Sequence, residues 1–271
     1  MKIRKAVIPA AGLGKRMMPL TRAQPKEMLP VVHKPVIHYV VEEAYQAGIR
    51  NILIITGKHK RAIEDYFDKP IVDSKDPWSL ELEKILDEVS IYFTRQREQR
   101  GLADALRYAE GFIDNEPFAL LLGDNITLPP CTKILVELFK RVNGGLIAVE
   151  KVEKERINKH GIVDVKEELS LDNYKVFKLK DVVEKPLPEK APSNLAIIGR
   201  YILYPEIFEY IRNLKPGYCG ELQLTDAIRE MIRDGFEYYG VFYTGKRYDI
   251  GDKRDWLRAN FELGSSERIL E

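Results

Sequence analysis

Four apolar runs, Ala6–Ile8, Ile52–Ile55, Ile91–Phe93 and Phe118–Leu122, recur through the first half of the chain, separated by stretches with helical spacing. That alternation predicts a parallel sheet with crossover helices. Pro35–Ala44 carries apolar residues at i, i+3, i+4 and i+7 behind a first-turn proline, and Gly48 ends it, which predicts a helix with one buried face. A second helix is expected over Arg61–Phe67, and a surface helix within the charged stretch Asp73–Glu88. After Val149 the pattern shifts to shorter β-rich pieces, Ile162–Val165, Val176–Leu179, Asp181–Pro186 and Ala196–Leu203, and Asp252–Leu263 reads as a closing helix. The expectation is a single α/β domain over residues 1–271. Its core is a Rossmann-like mixed, mostly parallel sheet flanked by helices. Residues 1–150 form a nucleotide-binding half, and 151–271 an appended, smaller β-rich region that makes the far wall of a cleft.

The first strand empties into Pro9-Ala10-Ala11-Gly12-Leu13-Gly14-Lys15-Arg16, and Pro25-Lys26-Glu27-Met28-Leu29-Pro30 follows shortly after. Small residues at a strand's carboxyl end let backbone N–H groups approach an anion, and Lys15, Arg16 and Lys26 add three cations. The dinucleotide fingerprint would need glycine where Met17 stands, and a Walker A loop would need a hydroxyl where Arg16 stands. A lone Gly-x-Gly is weak evidence, and Gly12 and Gly14 by themselves read better as a tight strand-to-helix turn with solvated cations around it. Arg16, Lys26 and the flanking Pro19 and Pro25 tip the balance toward a polyphosphate loop.

Further strand ends add chemistry. Gln96 lies just past the third apolar run, where open α/β sheets bind ligands, and its amide offers a donor and an acceptor to a pyrimidine edge. Arg97, Glu98 and Arg100 beside it read as a solvated loop. Asp124 leaves a fully apolar strand through Gly123, which suits either magnesium beside phosphates or a capped turn. Asp249, in Tyr248-Asp249-Ile250-Gly251, is a comparable carboxylate with which it could share one cation. Glu184 and Lys185 end another strand, either as a surface ion pair or as a carboxylate for sugar hydroxyls and an ammonium for a sugar phosphate. Gly161 would let a bulky sugar approach the backbone.

Composition narrows the field. The 271 residues are 45% hydrophobic, and 43 basic against 42 acidic side chains leave a net charge of +1. No overall field exists to hold nucleic acid or an anionic membrane. Cys131 and Cys219 read as buried free thiols. The four histidines have no metal-ligand spacing, and His38 reads as packing. Without an apolar run long enough to span a bilayer or a signal-peptide core, the expectation is a cytoplasmic chain.

Taken together, these motifs resemble the UTP–glucose-1-phosphate uridylyltransferases, within the sugar-phosphate nucleotidylyltransferases. Glu221–Ile228, Gly199-Arg200-Tyr201 and Ala191–Ala196 add to the match, which runs nearly end to end. The resemblance implies that Arg16 and Lys26 hold the nucleoside triphosphate and, with Lys185, serve catalysis. It implies a nucleotide site at Ala10, Ala11, Gly12, Gly14, Lys15, Gln96 and Gly101, with the Ala11–Gly12 backbone and Gln96 at the base. Asp124 and Asp249 would bind Mg²⁺, and Gly161, Glu184 and Lys185 would receive glucose 1-phosphate. UTP and glucose 1-phosphate would be the partners, and a homodimer or homotetramer the assembly. Three departures stand out: Lys15 for threonine, His160 for tyrosine, and Gly101-Leu102-Ala103-Asp104 for Gly-Leu-Gly-His. The rival readings are a thymidylyltransferase or an enzyme for another sugar 1-phosphate, a nicotinamide-dependent nucleotide-sugar oxidoreductase, against which Met17 argues, and a non-catalytic nucleotide-sugar sensor.

Overall fold

The computed structural model describes residues 2–70 and 75–266. The four apolar runs become strands Lys5–Pro9, Asn51–Thr56, Ser90–Arg95 and Phe118–Leu121, which lie side by side and parallel. Because side chains alternate across a strand, Ala6 and Ile8 enter one apolar layer and Val7 the other. Helices Val36–Gln46, Pro77–Glu88 and Cys131–Phe139 pack on the first face. Helices Leu102–Arg107, Ile207–Asn213 and Leu224–Arg233 cover the second. Asp76 caps the helix expected within 73–88 through the Trp78 and Ser79 N–H groups. Asp73, where that stretch was expected to begin, lies outside the described residues.

The β-rich second half joins the same nine-stranded sheet. Its outer strands Gly161–Leu171 and Tyr174–Glu184 pair antiparallel at the far edge. The pieces Val176–Leu179 and Asp181–Pro186, read separately from sequence, are largely one strand; two register shifts near Leu179 mark the irregularity that makes the pattern break there. Leu195–Leu203 is not peripheral: it runs antiparallel between Phe118–Leu121 and Gly145–Lys151 at the sheet's centre and is buried throughout. Cys131 is buried as expected, whereas Cys219 is exposed in the loop before Glu221. His38 is buried in the helix Val36–Gln46 with Nδ1 2.8 Å from the Tyr66 hydroxyl. Among the described residues no helix is long and apolar enough to cross a membrane.

One short antiparallel pair positions the chemistry. Strand Asn125–Leu128 pairs with Lys246–Asp249 so that Asp249 faces Asn125, and the Ile250 N–H donates to the Asp124 carbonyl at 2.8 Å. Met17, Leu29, Val31, Val36, Ile126, Tyr248, Ile250 and Ala259 form a small apolar cluster beneath this pair. Met17, the residue that breaks the dinucleotide fingerprint, thereby anchors the loop bearing Arg16 against the segment bearing Asp249.

Candidate active site

Parallel strands place all their carboxyl ends on one edge, and the loops leaving Pro9, Arg95 and Leu121 meet there. A cavity of about 470 Å³ is lined by Ala11, Gly12, Gly14, Lys15, Arg16, Lys26, Gln96, Gly101 and Asp124, among others. A second, of about 260 Å³, is lined by Gly161, Glu184, Lys185 and Asp249. Arg16, Asp124, Leu102, Leu122 and Glu221 line both, so the cavities adjoin. Every residue singled out from sequence lines one cavity or the other except Ala10, which is buried with its N–H donating to the Ile55 carbonyl at 2.8 Å. Arg97, Glu98 and Arg100 are exposed, as a solvated loop should be.

The junction concentrates charge. Lys26 Nζ donates to Asp124 Oδ2, and Asn125 Nδ2 donates to Asp124 Oδ1 at 2.9 Å. Burial alone would push Asp124 up; the Lys26 ammonium overrides it and holds the carboxyl below the usual aspartate range. Burial would likewise lower Lys26, but the carboxylates of Asp124 and Glu27 outweigh it and keep the ammonium protonated. Glu27, itself buried, accepts from Lys60 at 2.5 Å.

Asp249 behaves differently. Burial first, then the neighbouring Asp124 carboxylate, pushes it above the usual range despite Arg247 and Arg16. A Cβ placed on Gly251 would sit 2.7 Å from Arg16 Nη2, 2.9 Å from Asp249 Oδ1 and 3.4 Å from Asp124 Oδ2. These three groups converge on Gly251, where a side chain would displace their tips. Two hard carboxylates whose mutual repulsion a cation would relieve fit a divalent ion that keeps waters and substrate oxygens as its other ligands. Among the described residues no group of three or more His, Cys, Asp or Glu side chains offers a self-sufficient cage.

On the second cavity's wall, Glu184 forms an ion pair with Lys185 Nζ at 2.9 Å and accepts from Thr225 Oγ1 at 2.8 Å. Gly161 pairs in register with Glu184, and the Lys185 N–H donates to the His160 carbonyl at 3.0 Å. Lys185 Nζ lies 5.1 Å from the Tyr218 ring centre. His160, also lining this wall, is pushed down to about 3 by burial and by the cations around it, Arg247 foremost, so its ring is neutral near pH 7.

Sequence reasoning missed several groups. Arg247 donates to Asn125 Oδ1 at 3.1 Å and to Glu150 at 2.8 Å while lining the second cavity. Glu221 stands where the cavities meet because Gly101, at φ +112°, admits the Leu222 backbone, which bonds to the Arg100 carbonyl and the Ala103 N–H. A Cβ at Gly101 would run into Leu222. Arg200 is fully buried beneath the Asp124 turn and binds Glu43 together with the Leu122 and Asn125 carbonyls. The available signal for Arg200 was a charged residue inside an otherwise apolar strand.

A parallel-sheet edge that gathers cations and two neighbouring carboxylates around adjoining cavities is the architecture of a transferase acting on nucleotides, and the family match agrees. Residues 5–266 match the nucleotidyl transferase family, and the chain belongs to it. A UTP–glucose-1-phosphate uridylyltransferase from Staphylococcus haemolyticus is 45% identical over 96% of this chain and 92% of its own length. A crystal structure of a UDP-glucose pyrophosphorylase complexed with UDP-glucose is 38% identical, covering 97% of this chain and 99% of its own, with a TM-score of 0.91. A UTP-bound UGPase from Acinetobacter baumannii is 32% identical over 99% of both chains, with a TM-score of 0.86.

Proposed function

We propose that the chain transfers the uridylyl group of UTP to glucose 1-phosphate, giving UDP-glucose and pyrophosphate. The observation that carries this reading is the pair of adjoining cavities meeting at Arg16 and Asp124. One has the glycine loop and an amide for a nucleotide, and the other a carboxylate and an ammonium for a phosphorylated sugar. Relatives with those names and titles match the chain over nearly its whole length.

In this reaction a phosphate oxygen of glucose 1-phosphate bonds to the α-phosphorus as the bond from that phosphorus to the bridging oxygen breaks. The electron pair departs on pyrophosphate. No general base is required, because the attacking phosphate is already ionised. Two anions must meet, so the main barrier is their repulsion and the charge building on the α-phosphoryl oxygens. Arg16 and Lys26 face that charge from the nucleotide side and Lys185 from the sugar side. Glu184 orients the sugar by accepting from its hydroxyls. Asp124 and Asp249 would hold magnesium, which when bound neutralises phosphoryl charge.

The proposal includes a cytoplasmic location and a homodimer or homotetramer. Leu257 and Phe261, 60% and 68% exposed on the closing helix Lys253–Ser266, support self-association. The deciding experiment is a pyrophosphate-release assay crossing UTP and dTTP with glucose 1-phosphate and other sugar 1-phosphates. UTP with glucose 1-phosphate should give the highest kcat/KM. A preference for dTTP would make the chain a thymidylyltransferase, and no release with any pair would overturn transfer altogether.

A further inference from the structure

Gln96 does more than line the nucleotide cavity. Its backbone N–H is held by the Thr56 carbonyl at 2.9 Å, and its side chain is buried at 4% exposure. The side-chain Nε2 donates to Asp104 Oδ2 at 2.8 Å and to the Gly101 carbonyl at 3.2 Å. Asp104, 1% exposed, is held in turn by Arg100 Nη2 at 3.0 Å on Oδ1, with Arg107 Nη1 at 3.8 Å. A free glutamine amide can turn either end toward a ligand. This one cannot do so without cost, since both partners of its NH2 group, a carboxylate and a carbonyl, accept only. Both amide hydrogens are spent on the protein, and only the carbonyl oxygen is left for the cavity.

We propose that Asp104 is a positioning residue for base selection: it locks Gln96 as a pure hydrogen-bond acceptor, so the site selects a pyrimidine that carries a ring N–H. Uracil has that hydrogen at N3. Cytosine has a lone pair there, which would face the Gln96 carbonyl oxygen with no proton between them. Thymine carries the same N3–H, so the device separates UTP from CTP and is blind to the C5 methyl that separates UTP from dTTP. The inference rests on the uridylyl-transfer reading and deepens it.

The test measures kcat and KM for UTP, CTP and dTTP in the wild type, Asp104→Asn and Asp104→Ala, with glucose 1-phosphate saturating. The wild type should favour UTP over CTP by about a hundredfold or more in kcat/KM, because an unmatched polar group at a buried contact discriminates strongly. In Asp104→Asn the new amide can donate as well as accept, so Gln96 can reverse. The UTP-to-CTP ratio should fall about tenfold or more, chiefly through KM, while kcat for UTP stays within roughly threefold and the UTP-to-dTTP ratio is unchanged. Asp104→Ala removes the acceptor and introduces no competing group. It should lower the ratio in the same direction, and it keeps the test open if the asparagine variant folds poorly. A merely structural Asp104 would lower melting temperature and kcat for all three nucleotides alike. Equal use of UTP and CTP by the wild type, or an unchanged ratio in a folded Asp104 variant, overturns the orientation and leaves uridylyl transfer standing. A wild type that uses none of the three overturns the transfer reading itself.

Discussion

Two ion pairs, one fully buried and one half-buried, brace the same turn at the sheet's carboxyl edge, and they are built for opposite ends. Arg200 uses all its N–H donors on protein: Nε and Nη2 on Glu43 at 2.8–3.0 Å, Nη1 on the Leu122 and Gly199 carbonyls at 3.3 and 3.1 Å, Nη2 also on the Asn125 carbonyl at 2.7 Å. Glu43 is equally saturated, accepting from Thr127 Oγ1 and from Thr132 N and Oγ1 as well. Burial would raise the Glu43 carboxyl, but Arg200 outweighs it and holds it below the usual range. With nothing left to offer a ligand, that pair fixes the shape of the turn. Lys26 and Asp124, by contrast, sit at a cavity wall with Arg16 and Asp249 beside them. That pair is open on one side, toward the cavity. Ionic groups in a core become scaffolding when satisfied from every side, and machinery when one side is left open.

Breaking the closed pair should have the largest effect. Arg200→Met strands the Glu43 carboxylate without its counter-charge and should cost about 3–5 kcal/mol in urea unfolding. Adding Glu43→Gln should recover part of that loss, since the stranded charge is then gone. A single variant that unfolds like the wild type would show that the pair does not support the turn. Lys26→Ala reverses the profile: turnover should fall roughly a hundredfold to a thousandfold, with a smaller shift in melting temperature than Arg200→Met. Equal damage to stability from both variants would erase the distinction between the pairs.

The smallest effect concerns a buried ionisable group with no opposite charge. His38 shares the helix Val36–Gln46 with Glu43, but burial and then Lys34 push its ring down to about 3 from the ordinary 6.5. A histidine whose folded value is depressed contributes its full stability above pH 6.5 and loses it as pH falls toward 3, because the unfolded chain takes up the proton first. Melting temperature measured against pH should therefore drop more steeply across that window in the wild type than in His38→Gln. Matching slopes would mean that His38 charges in place.

Legibility from sequence followed locality. Gly12, Gly14, Arg16 and Lys26 lie within one short stretch, and Gln96 directly follows its strand, so backbone direction and spacing were enough to propose them. Glu184 and Lys185 were readable for the same reason, as a charged pair closing a strand. Ala10 looks like the loop's other small residues in sequence, yet it lines neither cavity and its N–H continues the sheet by bonding to Ile55. Cys219 was expected to be buried as a small apolar residue, but it lies in an exposed loop. Leu195–Leu203 looked peripheral because its neighbours in sequence are; only strand order puts it at the centre.

The sequence by itself determined the four parallel strands of the first half and which charged or polar residues follow their ends, because those properties depend on side-chain periodicity and on residues adjacent in the chain. Tertiary structure decided that Asp249 stands beside Asp124, that Arg200 locks the turn beneath them, and that Asp104 holds Gln96 by its NH2 group. The first two are contacts between distant segments, and the third depends on which way a side chain turns around a helix start. Such arrangements are fixed by strand register and packing, which local pattern does not encode.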